Sequence, residues 1–91
     1  MSPREQLSNE LAAWITEKGF NAPYGVIEAV EKLPRGAIRT ITFGVSRVSD
    51  CYMKIFSTTN IVLRDSRYGD AVLKSGEEVK EQLKEWYSWI V

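Results

Sequence analysis

The sequence predicts one α+β domain, in which helices flank an antiparallel β-meander and pack on one of its faces. Three observations predict this class. Apolar residues recur every three or four positions near both ends of the chain, as in amphipathic helices. From residue 37 they alternate with polar residues, as in half-buried strands. The alternating segments follow one another too closely for the crossovers that parallel neighbours need.

Two helices are predicted before the strands. The first spans about residues 3–18, because Ser2 and Glu5 have capping-box spacing and apolar residues follow at helical intervals. The second spans about residues 23–32, with Pro23 at its first position and an apolar stripe of Val26, Ile27, Val30 and Leu33. The linker between them is short, so we expect the two to form a helical hairpin.

Four strands and a last helix follow. The predicted strands cover about residues 37–46, 51–56, 61–64 and 71–74. Ser75 and Glu78 form a second capping box, and an apolar stripe predicts a helix at about residues 76–90. The predicted order is therefore ααββββα in one two-layer domain, residues 1–91.

The strand alternation also predicts which face of the sheet is buried. The inward rows are the more apolar ones: Ile41, Phe43 and Val45 in the first strand, and Cys51, Met53 and Ile55 in the second. If helices cover only that face, the opposite one is open to solvent. The open face then carries Thr40, Thr42, Tyr52, Lys54, Phe56, Val62 and Arg64.

Composition excludes several kinds of site. The 91 residues include one cysteine and no histidine, so a structural zinc site and histidine acid–base chemistry are both excluded. No nucleophile motif or phosphate-binding loop is present, so we predict no catalytic residue, no metal and no cofactor. The single thiol and the lack of a signal or membrane segment favour the cytoplasm.

Charge is unevenly distributed along the chain although the formal net charge is zero. Residues 35–74 carry seven basic and three acidic side chains, whereas the segments on either side are each acidic. The arginines of this middle segment are Arg35, Arg39, Arg47, Arg64 and Arg67. They favour either protection of strand edges, with pairing to Asp50, Asp65 or Asp70, or contact with an acidic protein surface.

The open face has three interpretations. Antiparallel sheets commonly show water a mixed face of no particular function. Exposed aromatic and basic groups also suit a protein interface, and they suit single-stranded nucleic acid, whose bases stack on rings. Near the C-terminus, Tyr87 and Trp89 lie off the main helical stripe, and an exposed one would mark a partner surface.

The function predicted from these observations is that of a small non-catalytic binding protein. It would act as an inhibitor, adaptor or accessory factor, of the type found in viruses and mobile elements, on another protein or on a second copy of itself. The predicted contact residues are Tyr52, Lys54, Phe56, Arg64, Arg39, Arg47 and Arg67. The alternative is a nucleic-acid-binding module that uses Tyr52, Lys54, Phe56 and Arg64.

Overall fold

A computed structural model describes residues 2–20, 25–34, 36–46 and 49–90, and the side chains at all of these positions except 45, 46, 49 and 50. It confirms the α+β class, with five strands rather than four. The elements are α1 (Pro3–Glu17), β1 (Ile27–Leu33), β2 (Gly36–Ser46), β3 (Ser49–Ser57), β4 (Asn60–Asp65), β5 (Gly69–Leu73) and α2 (Gly76–Trp86).

Both helices begin where the capping boxes predict. The Ser2 hydroxyl accepts a hydrogen bond from the backbone N–H of Glu5 at 3.1 Å, and Ser75 accepts one from Glu78 at 3.1 Å. Helix α2 ends at Trp86, four residues before the predicted end, because the backbone of Tyr87 is extended and its side chain turns into the core.

The five strands form one antiparallel sheet in the order β1-β2-β3-β4-β5. The prediction of a second helix over residues 23–32 is wrong where the structure describes the chain, because residues 27–33 form β1. This strand pairs with β2 from Ile27 opposite Thr42 to Leu33 opposite Gly36. Its apolar residues have helical spacing, but pairing with β2 overrides that local preference. The predicted start of that helix, at residues 21–24, lies outside the described residues.

The helices cover one face of the sheet, and the core lies between the two layers. The predicted inward rows are confirmed, since Ile41, Phe43, Cys51, Met53 and Ile55 are all buried. Ile61 and Leu63 of β4 are buried on the same side of the sheet. Val45, the other member of the predicted rows, has a side chain outside the described set. The helices contribute Leu11, Ile15, Val79 and Leu83 to the same cluster. The opposite face is therefore left as the open face that the sequence predicted.

Candidate functional site

The open face is an ordered array because directly opposed residues of antiparallel strands project to the same side. One row across the sheet runs Ile27, Thr42, Tyr52, Arg64 and Asp70. The next row runs Ala29, Thr40, Lys54, Val62 and Val72. The strand register thus brings together residues that are up to about forty positions apart in the sequence.

A depression of about 190 Å³ lies at the centre of this face. Its lining consists of Tyr52, Lys54, Phe56, Val62 and Arg64. Four of these five are predicted contact residues, and the fifth belongs to the predicted open row. The structure therefore places these sequence-predicted side chains around one shallow concavity.

Tyr52 crosses the sheet at one side of the depression. Its hydroxyl donates a hydrogen bond to Glu31 Oε2 at 3.1 Å, so the side chain reaches from β3 over β2 to β1. Thr40 lies beneath this path and is buried. Burial, followed by the hydrogen bond to Glu31, raises the pKa of Tyr52 above its ordinary value. Lys54 Nζ lies 5.5 Å from the centre of the Tyr52 ring, within the range of a cation–π contact.

Arg64 is engaged by a carboxylate of the neighbouring strand. Its Nε and Nη2 donate to the two oxygens of Asp70 at 2.8 and 3.1 Å, which is the bidentate geometry that arginine and carboxylate favour. The hydrogen bond from Arg64 lowers the pKa of Asp70. This is one of the pairings that the sequence predicted, and it leaves the charge of Arg64 balanced on the protein's own surface.

Apolar side chains on the same face are exposed. The exposed fraction is 71% for Val72, 50% for Ile27, 39% for Leu33 and 37% for Phe56. Val62 lies between them and is half-buried. The face therefore has a polar centre, with exposed apolar side chains around it and at both edges.

The other predicted contact residues lie elsewhere. Arg39 belongs to the helix-covered face, where its Nη2 lies 3.8 Å from Glu28 Oε2. Arg67 lies in the turn after β4, and its guanidinium is 5.5 Å from the centre of the Tyr68 ring. Arg47 lies outside the described residues. The arginines of residues 35–74 that the structure describes thus do not form one cluster.

A second aromatic group lies at the end of the domain near the β4–β5 turn. Tyr68 stacks on Trp86 with ring centres 5.6 Å apart, and Trp89 contacts the buried Phe20 at 4.9 Å. Tyr87 is buried, whereas Trp89 is exposed over 48% of its surface. Of the two residues that the sequence placed off the helical stripe, Trp89 is therefore the one at the surface.

Sequence reasoning missed a buried polar cluster around Asp65. Cys51 Sγ donates to Asp65 Oδ2 at 2.9 Å, and the Tyr87 hydroxyl donates to the same oxygen. The other oxygen accepts the backbone N–H groups of Arg67 and Tyr68 at 2.6 and 3.1 Å. Asp65 thereby fixes the β4–β5 turn and ties the end of α2 to the sheet. An aspartate at the start of a turn was the available signal.

Comparisons with known proteins do not add a function. No family model matches the chain, and neither the curated proteins nor the solved structures include a significant match. Within the described ranges, no group of three or more His, Cys, Asp or Glu side chains is placed to hold a metal ion. Neither helix that the structure describes is long and apolar enough to cross a membrane.

Proposed function

We propose that this protein is a small binding protein that covers a surface of another protein with the open face of its sheet. Occupation of a partner surface is how inhibitors, adaptors and accessory factors act, and it needs no catalytic group. The partner chemistry that fits is a largely apolar surface with a few polar groups, to match the face described above.

One observation carries this proposal: Arg64 is already paired with Asp70, while the apolar side chains of the open face are exposed. Lys54, the other basic residue that lines the depression, shares the face with the carboxylate of Glu31. A nucleic-acid surface needs cations that can neutralise phosphates, and Arg64 would first have to leave its carboxylate. Exposed Phe56 and Val72, in contrast, gain from being covered by an apolar partner surface.

The test is affinity capture of partners from the cells that produce the protein, followed by quantitative mass spectrometry. Phe56→Ser and Val72→Ser each remove an exposed apolar group from the open face. Lys84→Ser is the control, because it introduces the same serine at an exposed position of α2, outside both the open face and the edge strand β1. Circular dichroism checks that each variant is folded.

We expect the wild type and Lys84→Ser to recover the same partner, and each open-face variant to bind it at least about tenfold more weakly, a loss of about 1.4 kcal/mol. Undiminished recovery by both open-face variants would overturn the proposal. Binding of single-stranded oligonucleotides at low salt that Lys54→Ala with Arg64→Ala abolishes would support the nucleic-acid function in its place.

The cytoplasm is the compartment we propose for this activity. Cys51 is a buried thiol that donates a hydrogen bond to Asp65, and its packing does not require oxidation. Cell fractionation with a compartment marker tests this placement, and recovery in a secreted fraction would contradict it.

A further inference from the structure

Strand β1 forms one edge of the sheet, and its side chains are exposed on both faces. Ile27 and Val30, which project to opposite faces, are each about half exposed, and the strand is seven residues long. An edge strand directs unpaired N–H and C=O groups away from the sheet and can accept another strand. Its register with β2 runs without a shift, and no proline lies within Ile27–Leu33, so neither a bulge nor a proline blocks edge pairing in this segment.

The sequence of β1 is complementary to itself when two copies of the strand run antiparallel with Val30 at the centre. Antiparallel pairing of two copies places Glu28 of each opposite Lys32 of the other, and Ile27 opposite Leu33. Val30 meets Val30 at the centre. Opposite charges and apolar pairs directly across a sheet are stabilising, so the side chains of β1 favour this arrangement on both faces.

We propose that β1 pairs with β1 of a second copy of this chain, joining two sheets into one of ten strands. Both sets of helices then cover the same side, and the two open faces form one continuous surface. This inference depends on the edge of the sheet and is independent of what the open face binds.

Other registers of the same pairing fit less well. Opposed residues must project to the same face, so the register can shift only by whole two-residue steps. Centring the pair on Glu31 sets Glu31 against itself in the two copies, and like charges directly opposite are destabilising. Centring it on Ala29 sets Ile27 against Glu31 and leaves Lys32 and Leu33 without opposed residues in the strand.

The opposite edge of the sheet is a poorer surface for a second copy. Strand β5 has five residues and borders a groove of about 440 Å³ next to α2. Its lining includes Glu77, Glu78, Glu81 and Glu85, with one basic residue, Lys74. Two copies that met there would bring these carboxylates together, whereas at β1 the charges of the two copies alternate in sign.

Glu28 can take part in this pairing while it keeps its contacts within the chain. The Ser8 hydroxyl donates to Glu28 Oε2 at 2.8 Å, and Arg39 lies 3.8 Å from that same oxygen. Both contacts therefore involve Oε2, and the other carboxylate oxygen, Oε1, is the one we assign to Lys32 of the second copy.

Light scattering after size exclusion, over a range of protein concentrations, tests the proposal. The wild type should approach twice the 10.4 kDa mass of one chain as concentration rises. Lys32→Glu places glutamate opposite Glu28 and should weaken self-association at least tenfold, whereas Lys32→Arg should retain it. Lys84→Glu is the matched control, because it makes the same charge reversal on α2.

A mixing experiment identifies the paired residues. Glu28→Lys alone should be monomeric, yet mixed with Lys32→Glu in equal amounts it should form a heterodimer, because every facing charge is then opposite. Glu28 also contacts Ser8 and Arg39, so Glu28→Lys could fail to fold. In that case the comparison of Lys32→Glu with Lys32→Arg still tests whether β1 pairs with β1. A wild type that stays monomeric at its highest soluble concentration, or a dimer that survives Lys32→Glu, would overturn the proposal.

Phe56→Ser separates this inference from the proposed function. It removes an open-face side chain that lies outside β1, so the dimer should persist at the wild-type affinity. Loss of the dimer in Phe56→Ser, with no loss in Lys32→Glu, would assign self-association to the open face and would overturn the pairing of β1.

Discussion

The two faces of the sheet are built from alternate residues of the same strands, yet they differ in what holds their side chains. On the helix-covered face, Met53 and Leu63 are fully buried against the helices. On the open face, their neighbours Tyr52 and Val62 remain partly exposed. The covered face is therefore stabilised mainly by apolar burial, whereas the polar groups of the open face interact through pairs such as Arg64 with Asp70.

This difference separates stability from binding. Changes on the covered face should mainly lower the free energy of unfolding, because a cavity remains in a packed core. Changes on the open face should leave folding nearly intact and act on partner binding.

The largest expected effect compares two apolar truncations. Leu63→Ala should lower the free energy of unfolding by about 2–5 kcal/mol, because its side chain is fully buried. Val72→Ala should change it by no more than about 0.5 kcal/mol, because most of that side chain is in solvent. Urea denaturation of both variants measures the difference, and similar losses would show that the two faces are not distinct.

The next effect compares two aspartates. Asp65→Ala should lower the free energy of unfolding by about 1.5–3 kcal/mol, because the hydroxyl of Tyr87 and two backbone N–H groups of the turn lose a charged acceptor. Asp70→Ala, the same change on the exposed surface, should cost far less. Thermal unfolding followed by circular dichroism measures both losses of stability. The prediction is wrong if Asp70→Ala lowers stability more than Asp65→Ala does.

A third prediction concerns the pH dependence of Tyr52. Its pKa is raised in the folded protein, so its contribution to stability is complete below the ordinary tyrosine pKa and is lost as pH rises through the raised value. Glu31→Gln removes the carboxylate that adds to this shift, so the pKa of Tyr52 should fall towards its ordinary value. Alkaline titration of phenolate absorbance, with Tyr52→Phe subtracted to isolate this residue, measures it. An unshifted pKa in the wild type would contradict the Tyr52–Glu31 contact.

The smallest effect concerns Arg64 and Asp70. The lowered pKa of Asp70 means that the pair stabilises the fold above the ordinary aspartate pKa, and that this contribution disappears as pH falls through the lowered value. Because both side chains are exposed, salt should screen the interaction. Wild type and Asp70→Asn should therefore differ slightly at neutral pH in low salt, and should converge in acid or in high salt. A difference that is independent of both conditions would exclude this explanation.

The sheet from residue 36 onwards could be predicted because burial on one side enforces alternation. Met53 and Ile55 had to face inward together, and this placed Tyr52 and Lys54 on the open face. Such a row follows directly from the two-residue period of a strand, so the central members of the candidate site could also be predicted.

Strand β1 could not be predicted in the same way because it is exposed on both faces. Ile27, Val30 and Leu33 have helical spacing, and no buried row within the segment indicated a strand. Pairing with β2, a tertiary interaction, determined the outcome. The Asp65 cluster was missed for a related reason, since Cys51, Asp65 and Tyr87 meet only after the sheet and α2 have packed together.

The most direct test of the open face as a binding surface is site-specific photo-crosslinking in the producing cells. A photoreactive residue in place of Val62 lies in the central depression, and one in place of Glu10 lies at an exposed position of α1, away from the open face. We expect position 62 to crosslink the partner recovered by affinity capture and position 10 not to crosslink it. Crosslinking of that partner from position 10, with none from position 62, would contradict the open face as the binding surface.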